Sequence, residues 1–545
     1  MRLIFLLITV ISMGMLSSCT NKNARVDLIV HNAMIYTADR DFSIAGAVAI
    51  KDGRIVETGS GEDIMKKYGT QAYLDAHEKY VYPGFIDAHC HFLNYGLGRI
   101  QHADLTGTSS FEEVLDAARM HHEKQPGEWI VGRGWDQNDW PGKEFPSKEK
   151  LDEIFPDIPV ILTRIDGHAV LVNSEALERA GIDSGTKVQG GEVVLANGQP
   201  TGILIDNAIN FVTGIVPEPG PEMLAHALRE AEKDCFAVGL TSVTDAGLSY
   251  LDILLIDSLQ QKGELKMRIN AMLTPTGDGF EKALDAGPYK TGRLQVNSIK
   301  LYADGALGSR GAALLSPYSD DPGNYGMIMH DEAYYADICR LALENNYQVC
   351  THAIGDSANR FILDLYSGFL KGPNDRRWRI EHAQVVHPED MHKFGDYGII
   401  PSIQATHATS DMYWAGDRLG PERILHAYAF RELLQENGWI PNGTDFPIEK
   451  ISPLLTFYAS VARKDTTGYP YAGFQKENAL TREEALRSVT VWAARGSFRE
   501  QEVGSLETGK YADFVILDRD IMKVPEHEIP DAKVLSTYQS GERVW

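Results

Sequence analysis

The sequence predicts an α/β fold built around a (β/α)8 TIM-like barrel. Short apolar runs typical of buried strands alternate eight times with longer stretches, such as 223–238 and 332–344, in which apolar residues recur every three or four positions as in helices. Eight strand–helix alternations suit one closed parallel sheet. The predicted barrel strands end near Ala88, Thr244, Met272, Leu301, Thr351, Glu381, Gln404 and Thr444.

A second observation is that candidate ligands stand where these runs end. His89 and His91 close the apolar run that begins at Val81. Side chains at i and i+2 of a strand share one face, so both imidazoles can reach one metal ion, whereas Cys90 points to the other face. Four further runs are followed by candidate ligands or bases, namely Lys300, His352, His382 and Asp445. Because a (β/α)8 barrel carries its active site at the C-terminal ends of its strands, these residues predict one site there.

With these motifs the sequence resembles the amidohydrolase superfamily, and within it the YtcJ-like amidohydrolases, over nearly the whole chain. The family's order of His-x-His, Lys, His, His and Asp maps onto His89, His91, Lys300, His352, His382 and Asp445. Further motif matches lie at 132–136, 164–169, 172–174, 304–309 and 504–514.

The β-rich segments at the two chain ends are the next element. Residues 26–82 and 501–545 contain short strand-like runs, and Lys51-Asp52-Gly53 supplies a turn of the hairpin type. The resemblance implies that both ends combine into one small β-sandwich. This sandwich lies beside the barrel, and the barrel occupies residues 83–500. The stretch from about 100 to 225 is too long for a simple connection after the first strand. We therefore expect an inserted subdomain that covers the barrel mouth.

The resemblance implies a divalent metal cofactor, zinc in the first place, with one or two ions per chain. In this scheme His89 and His91 bind the first ion, and His352 and His382 bind the second. Lys300, carboxylated by CO2, would bridge them. Asp445 would bind the first ion and serve as general base and then as general acid. The alternatives are a surface ion pair of Lys300 with Asp304 or with a glutamate, and a helix-capping role for Asp445.

A second set of residues is assigned to the substrate. His168 matches a family motif and is expected to act in catalysis or to polarise the substrate, with core packing as the alternative. The predicted substrate-binding residues are Trp135, Asp136, His168, Asp304, Arg310 and His407. Aromatic packing is the alternative for Trp135, and solvated loop positions are the alternative for Arg310 and His407.

Together with these residues, the resemblance implies a metal-dependent hydrolase that cleaves a non-peptide C–N bond in an amide, formamide or cyclic amide. The alternatives are an ester or lactone hydrolase with the same site and a catalytically silent small-molecule-binding lipoprotein. The partner is a small-molecule substrate. With 52 basic and 76 acidic residues, the net charge of −24 argues against nucleic acid and anionic lipid as partners. A homodimer is expected on general grounds.

The N-terminus predicts export. Met1-Arg2, a short apolar run and small residues form a signal peptide over residues 1–18. Leu16-Ser-Ser-Cys19 resembles a bacterial lipobox, so Cys19 is expected to carry lipid and 19–25 to form a tether. The protein would then contact a cell-envelope membrane through this anchor only, on its periplasmic or its surface side. An ordinary cleaved signal is the alternative.

The other cysteines show no disulfide framework. They are scattered without a CxxC pair, which favours buried free thiols, although an export compartment would permit a bridge. The positions are Cys90, Cys235, Cys339 and Cys350.

Overall fold

The computed structural model describes residues 24–217 and 219–545. The predicted signal peptide at 1–18, Cys19 and most of the tether lie outside these residues, so export and lipid anchoring stay predictions. Within the described residues, no helix is long and apolar enough to cross a membrane. The four cysteines of the described part are buried and free, as expected.

A parallel sheet of seven strands forms the centre of the molecule. Each strand pairs in parallel with the one before it, and the run of buried residues in each explains the apolar segments of the sequence. A short strand, Tyr289–Lys290, adds an antiparallel pair. The seven strands are Phe85–Cys90, Leu240–Leu248, Arg268–Leu273, Leu294–Tyr302, Gln348–Ala353, Arg379–His382 and Ile400–Ser402.

The predicted eighth strand near Thr444 is an irregular segment instead. The Ile403 N–H donates to the Pro441 carbonyl at 3.0 Å, and the Ala88 N–H donates to the Asn442 carbonyl at 3.3 Å. The segment is thus hydrogen-bonded to the first and the seventh strand. Pro441 has no N–H to donate, which limits regular pairing. The result is a near-closed, TIM-like barrel with its first and last segments side by side.

Helices surround the barrel and also occur within the segments that connect its strands. Their start signals are local: Ser249 and Asp252 form a reciprocal capping box at the start of Tyr250–Gln261, which satisfies N–H groups that the helix leaves free. The barrel helices are Phe92–Gln101, Pro221–Ala237, Tyr250–Gln261, Gly277–Ala286, Glu332–Glu344, Asp356–Leu370, His392–Tyr397, Ala405–Asp411, Ala415–Arg423, Phe430–Asn437, Pro453–Ala462, Arg482–Ser488 and Val491–Gly496.

Between the first two barrel strands the chain builds a separate six-stranded sheet. Its strands, in spatial order, are Gly191–Ala196, Gln199–Asp206, Ala169–Val172, Val160–Arg164, Ile130–Trp135 and Ala103–Asp104. Its helices are Phe111–Lys124, Glu149–Ile154, Ser174–Ala180 and Asn210–Thr213. The chain returns to the barrel through Pro221–Ala237, which crosses Phe92–Gln101 at Gly96. A Cβ there would lie 2.1 Å from the Ala227 carbonyl oxygen, so only glycine allows this approach.

Strands from both chain ends form one mixed eight-stranded sheet. Ala72–Pro83 lies between Leu28–Tyr36, which is parallel to it, and Phe514–Leu517, which is antiparallel. The predicted hairpin turn at Asp52-Gly53 is confirmed, since both residues have positive φ between two paired strands. The two-layered sandwich stays a prediction. The remaining elements of this end of the molecule are Ala24–Arg25, Ile44–Ala45, Ala47–Lys51, Arg54–Gly59, Gly61–Lys67, Tyr68–Gly69, Val534–Gln539 and Glu542–Arg543.

Candidate active site

A cavity of about 550 Å³ opens at the C-terminal ends of the barrel strands. One wall, called here the barrel wall, consists of His91, Lys300, His352, His382, His407 and Asp445. The facing wall, called the inserted wall, consists of Arg133, Asp136, Arg164, His168 and Asp206. The inserted sheet therefore contributes directly to the cavity at the barrel mouth.

Backbone hydrogen bonds tie the first strand to the segment that carries Asp445. The Asp445 N–H donates to the His89 carbonyl at 2.8 Å, and the His91 N–H donates to the Phe446 carbonyl at 2.8 Å. Gly443 permits this contact, because a Cβ there would lie 2.5 Å from the His89 nitrogen. The two histidines and the aspartate are thus held together by main chain, before any ligand binds.

The backbone is strained where two of the candidate ligands stand. Asp445 has φ of 63° and His382 has φ of 73°, in the left-handed region that few non-glycine residues adopt. Such strain collects at functional sites when the surrounding structure enforces it. Here the Asp87 carboxylate enforces it in part, since it accepts hydrogen bonds from the backbone N–H and the hydroxyl of Thr444.

His89, His91 and Asp445 form a donor group. Asp445 Oδ1 lies 3.3 Å from His91 Nε2 and 3.6 Å from His89 Nε2, and one donor atom from each residue lies within 4.8 Å of the others. Burial lowers the pKa of His89 to about 4 and also lowers the pKa of His91. Both imidazoles are therefore neutral at pH 7 and offer the lone pair that a metal ion requires.

A buried ion pair orients His89 from behind. Glu381 Oε2 lies 2.6 Å from His89 Nδ1, and its other oxygen lies 2.6 Å from Arg379 Nε. Burial acts to raise the pKa of Glu381, but Arg379 and His89 hold it well below its usual range. The ionised carboxylate keeps the proton on Nδ1 and leaves Nε2 free to face Asp445.

His407 joins a second donor group with His382 and Asp445. Its Nε2 lies 3.2 Å from Asp445 Oδ2, and its Nδ1 lies 3.0 Å from Glu449 Oε1. Burial acts against protonation, but the two carboxylates raise the pKa of His407 well above its usual range. Sequence reasoning placed His407 with the substrate-binding residues, whereas its contacts are with a candidate metal ligand.

Lys300 lies within the cluster rather than in a surface ion pair. It is buried, and its Nζ lies 3.3 Å from His89 Nε2. Burial lowers the pKa of Lys300. His352 lies nearby, with its ring centroid 4.6 Å from that of His382. His352 Nε2 is 3.5 Å from the Gly305 carbonyl oxygen, and this histidine belongs to neither donor group, so its predicted role with His382 at a second ion stays a prediction.

His168 faces the barrel wall from the inserted wall. Its ring centroid is 5.0 Å from that of His352, and its Nδ1 lies 2.7 Å from Asp206 Oδ1. Burial opposes protonation, but Asp206 raises the pKa of His168. Sequence reasoning missed Asp206, although it ends an apolar strand just as the barrel ligands do. Cβ atoms at Gly305 and Gly311 would lie 2.4 and 2.5 Å from Asp206 Oδ2, so these glycines make room for the carboxylate.

Three of the predicted substrate-binding residues do not line the cavity. Trp135 is 1% exposed, and its indole N–H donates to the Leu162 carbonyl in the core of the inserted sheet. Arg310 is paired with Asp320 at 2.9 Å. Asp304 is buried and accepts backbone N–H hydrogen bonds, which fixes the loops behind His352; the donors are Ala313, Ile354 and Gly355. The residues of that set that line the cavity are Asp136, His168 and His407.

The chain is similar to known proteins over most of its length. The model of the amidohydrolase family matches residues 72–545. The putative amidohydrolase YtcJ of Bacillus subtilis is 32% identical, over 95% of this chain and 99% of its own length. An N-substituted formamide deformylase of Arthrobacter pascens is 28% identical, over 94% of this chain and 97% of its own. The crystal structure of an uncharacterized metal-dependent hydrolase from Pyrococcus horikoshii is 28% identical and superposes with a TM-score of 0.74, covering 92% of this chain and 99% of its own.

Proposed function

The chain belongs to the amidohydrolase family and is a metal-dependent hydrolase acting on C–N bonds, and we propose that its substrate is an amide, formamide or cyclic amide other than a peptide. The observation that carries this proposal is the donor group of His89, His91 and Asp445 at the open end of the barrel. The similarity to a formamide deformylase supports formamides as the first substrates to test.

The donor set fits a divalent ion. Asp445 Oδ1 and His382 Nδ1 are buried and have no hydrogen-bond partner among the described residues, which is costly unless a ligand satisfies them. We propose that His89, His91 and Asp445 hold one ion, and that His352, His382 and a carboxylated Lys300 complete a second site. Nitrogen and oxygen donors suit zinc, with manganese, iron or cobalt as alternatives. A bound ion would polarise the substrate carbonyl and lower the pKa of water.

The chain's own residues supply the proton transfers in this proposal. Asp445 accepts a proton from the attacking water as the new C–O bond forms, and it returns that proton to the leaving nitrogen as the C–N bond breaks. Its two oxygens suit this role, because Oδ1 faces the two histidines of the first strand and Oδ2 faces His407. His168 faces the same cavity and would orient the substrate carbonyl from the inserted wall.

Turnover of a formamide and amide panel by the Asp445→Asn variant tests the proposal. We expect the variant to lose about 10²- to 10⁴-fold in kcat, the usual contribution of a general acid–base. The exposed Asp116, which lies outside the cavity, provides a matched control, and Asp116→Asn should keep full turnover. Chelation should abolish wild-type activity, and a divalent ion should restore it.

The other outcomes distinguish the alternatives. Full turnover by Asp445→Asn would contradict the proposed role of this residue. Hydrolysis of esters or lactones with no hydrolysis of amides would favour an ester or lactone hydrolase that uses the same site. Tight binding of small molecules without turnover of either panel would favour a catalytically silent binding protein.

A further inference from the structure

Two arginines reach the cavity from neighbouring parallel strands of the inserted sheet. Arg133 belongs to Ile130–Trp135 and Arg164 ends Val160–Arg164, and both side chains line the cavity. Their surroundings differ in one respect that bears on ligand binding, namely the presence of acidic partners.

The positive charge of Arg164 is balanced by carboxylates within the protein. Its guanidinium forms ion pairs with Asp136 and Asp166, and its Nε donates to Gln137 Oε1 at 2.7 Å. Burial acts to lower the pKa of Arg164, but the two carboxylates raise it overall. An anion that enters the cavity finds this guanidinium already neutralised.

The positive charge of Arg133 has no such carboxylate partner among the described residues. Within the described residues no carboxylate oxygen lies within 4.0 Å of its guanidinium, which donates one hydrogen bond, from Nη2 to the Ile165 carbonyl at 3.0 Å. Its Nε is buried without a partner in the described part of the chain. Burial lowers the pKa of Arg133, and the fields of Asp166 and Asp445 oppose this only in part. Arg133 is partly buried, and a desolvated cation without a counter-ion is costly, so an anionic ligand would stabilise it.

The backbone next to Arg133 keeps space for the guanidinium. Gly167 has φ of 79°, and a Cβ at this position would lie 3.3 Å from Arg133 Nη2. A side chain there would therefore crowd the guanidinium and strain the backbone. Glycine leaves the planar fork of N–H groups accessible from the cavity.

We propose that Arg133 binds a carboxylate of the substrate, so that the substrate is an amide or formamide that also carries a carboxylate. This inference rests on the proposed function. A guanidinium matches a carboxylate in charge and in its two parallel hydrogen bonds. Arg133, His91 and Asp445 line the same cavity of about 550 Å³, so one small molecule can place its carboxylate on the inserted wall and its amide at the barrel wall.

The test uses matched pairs of small molecules. Each N-formyl or N-acetyl amino acid is compared with its C-terminal carboxamide, which has the same shape without the charge. Binding to the metal-loaded full chain is measured by calorimetry, and turnover is measured separately. We expect the wild type to prefer the carboxylate members by roughly 10- to 100-fold, as for a hydrogen bond to a charged group.

Variants identify the residue responsible. Arg133→Met should abolish the preference by weakening the carboxylate members alone, mainly through KM, whereas Arg133→Lys should keep part of it. Arg179→Met is the matched control, because Arg179 lies in the same inserted segment, is 44% exposed and does not line the cavity. It removes one positive charge and should leave the preference unchanged.

The outcomes separate this inference from the proposed function. Equal binding of both members of each pair, or no carboxylate binding at all, would overturn the inference even if neutral amides are hydrolysed. An equal loss for both members in Arg133→Met would overturn it as well. Carboxylate binding that depends on Arg133, with no turnover of any amide, would support the inference and count against the proposed function.

Discussion

The barrel wall and the inserted wall face the same cavity but hold their side chains in different ways. On the barrel wall, Asp445 is fixed to His89 by a backbone hydrogen bond, and Glu381 and Arg379 form a buried ion pair behind them. On the inserted wall, carboxylates also hold Arg164 and His168, but the guanidinium of Arg133 is held by one carbonyl oxygen. Rigid, charge-backed donors suit chemistry, whereas long polar side chains with spare hydrogen-bonding capacity suit recognition. Changes to the barrel wall should therefore remove metal and turnover, and changes to the inserted wall should alter substrate use.

The largest effect that distinguishes the walls is expected for Glu381→Gln. Loss of the negative charge weakens the hydrogen bond that orients His89, so metal affinity should fall by about 10- to 100-fold. Competition with a chelator of known affinity measures the change. If the variant bound metal as tightly as the wild type and remained folded by circular dichroism, the assigned role of the barrel wall in metal binding would be contradicted.

A smaller effect is expected for Asp206→Asn on the inserted wall. The variant keeps the shape of the side chain but weakens its hold on His168, so kcat/KM should fall by roughly 10-fold. Metal content should not change, which is the contrast with Glu381→Gln. Loss of metal from Asp206→Asn, or an unchanged pH profile together with unchanged kcat and KM, would contradict the assigned positioning role.

The smallest effect concerns His102, at the junction of the barrel and the inserted sheet. Burial lowers its pKa to about 4, and its Nδ1 has no partner among the described residues. As pH falls, the His102 imidazole is protonated near pH 6.5 in the unfolded chain but stays neutral in the folded chain. The free energy of unfolding is therefore highest above pH 6.5 and decreases as pH falls towards 4. Because the side chain is partly exposed, we expect the loss by pH 5 to be about 1 kcal/mol.

Urea unfolding of the metal-free protein at pH 7 and pH 5 measures this effect. His102→Gln should be less sensitive to acid than the wild type by the same amount. Identical pH dependence in the two proteins would show that the junction does not depend on the neutral imidazole.

The sequence predicted the barrel well because its signals are local. Seven of the eight predicted strands are present, and most of their residues are buried. The eighth was wrong as a strand, since Pro441 and the left-handed backbone of Asp445 interrupt regular pairing. The predicted ligands His89, His91 and Asp445 lie together because barrel topology brings strand ends to one place.

The inserted wall was harder to predict because its geometry departs from simple strand alternation. Arg133 and Trp135 are two residues apart and should share a face, but the strand register shifts between them at Gly134, which has φ of 116°. Arg133 therefore reaches the cavity while Trp135 enters the core. His168 and Asp206 are 38 residues apart in the sequence, and no local sequence pattern predicts a contact between them.

The metal content of the purified protein tests the metal-dependent site most directly. Elemental mass spectrometry would be applied to protein made without residues 1–18 and purified without a chelator. We expect at least one divalent ion per chain, and two that fall to one in Lys300→Ala if Lys300 bridges. No bound ion, even after incubation with zinc and bicarbonate, would contradict a metal-dependent hydrolase at this site.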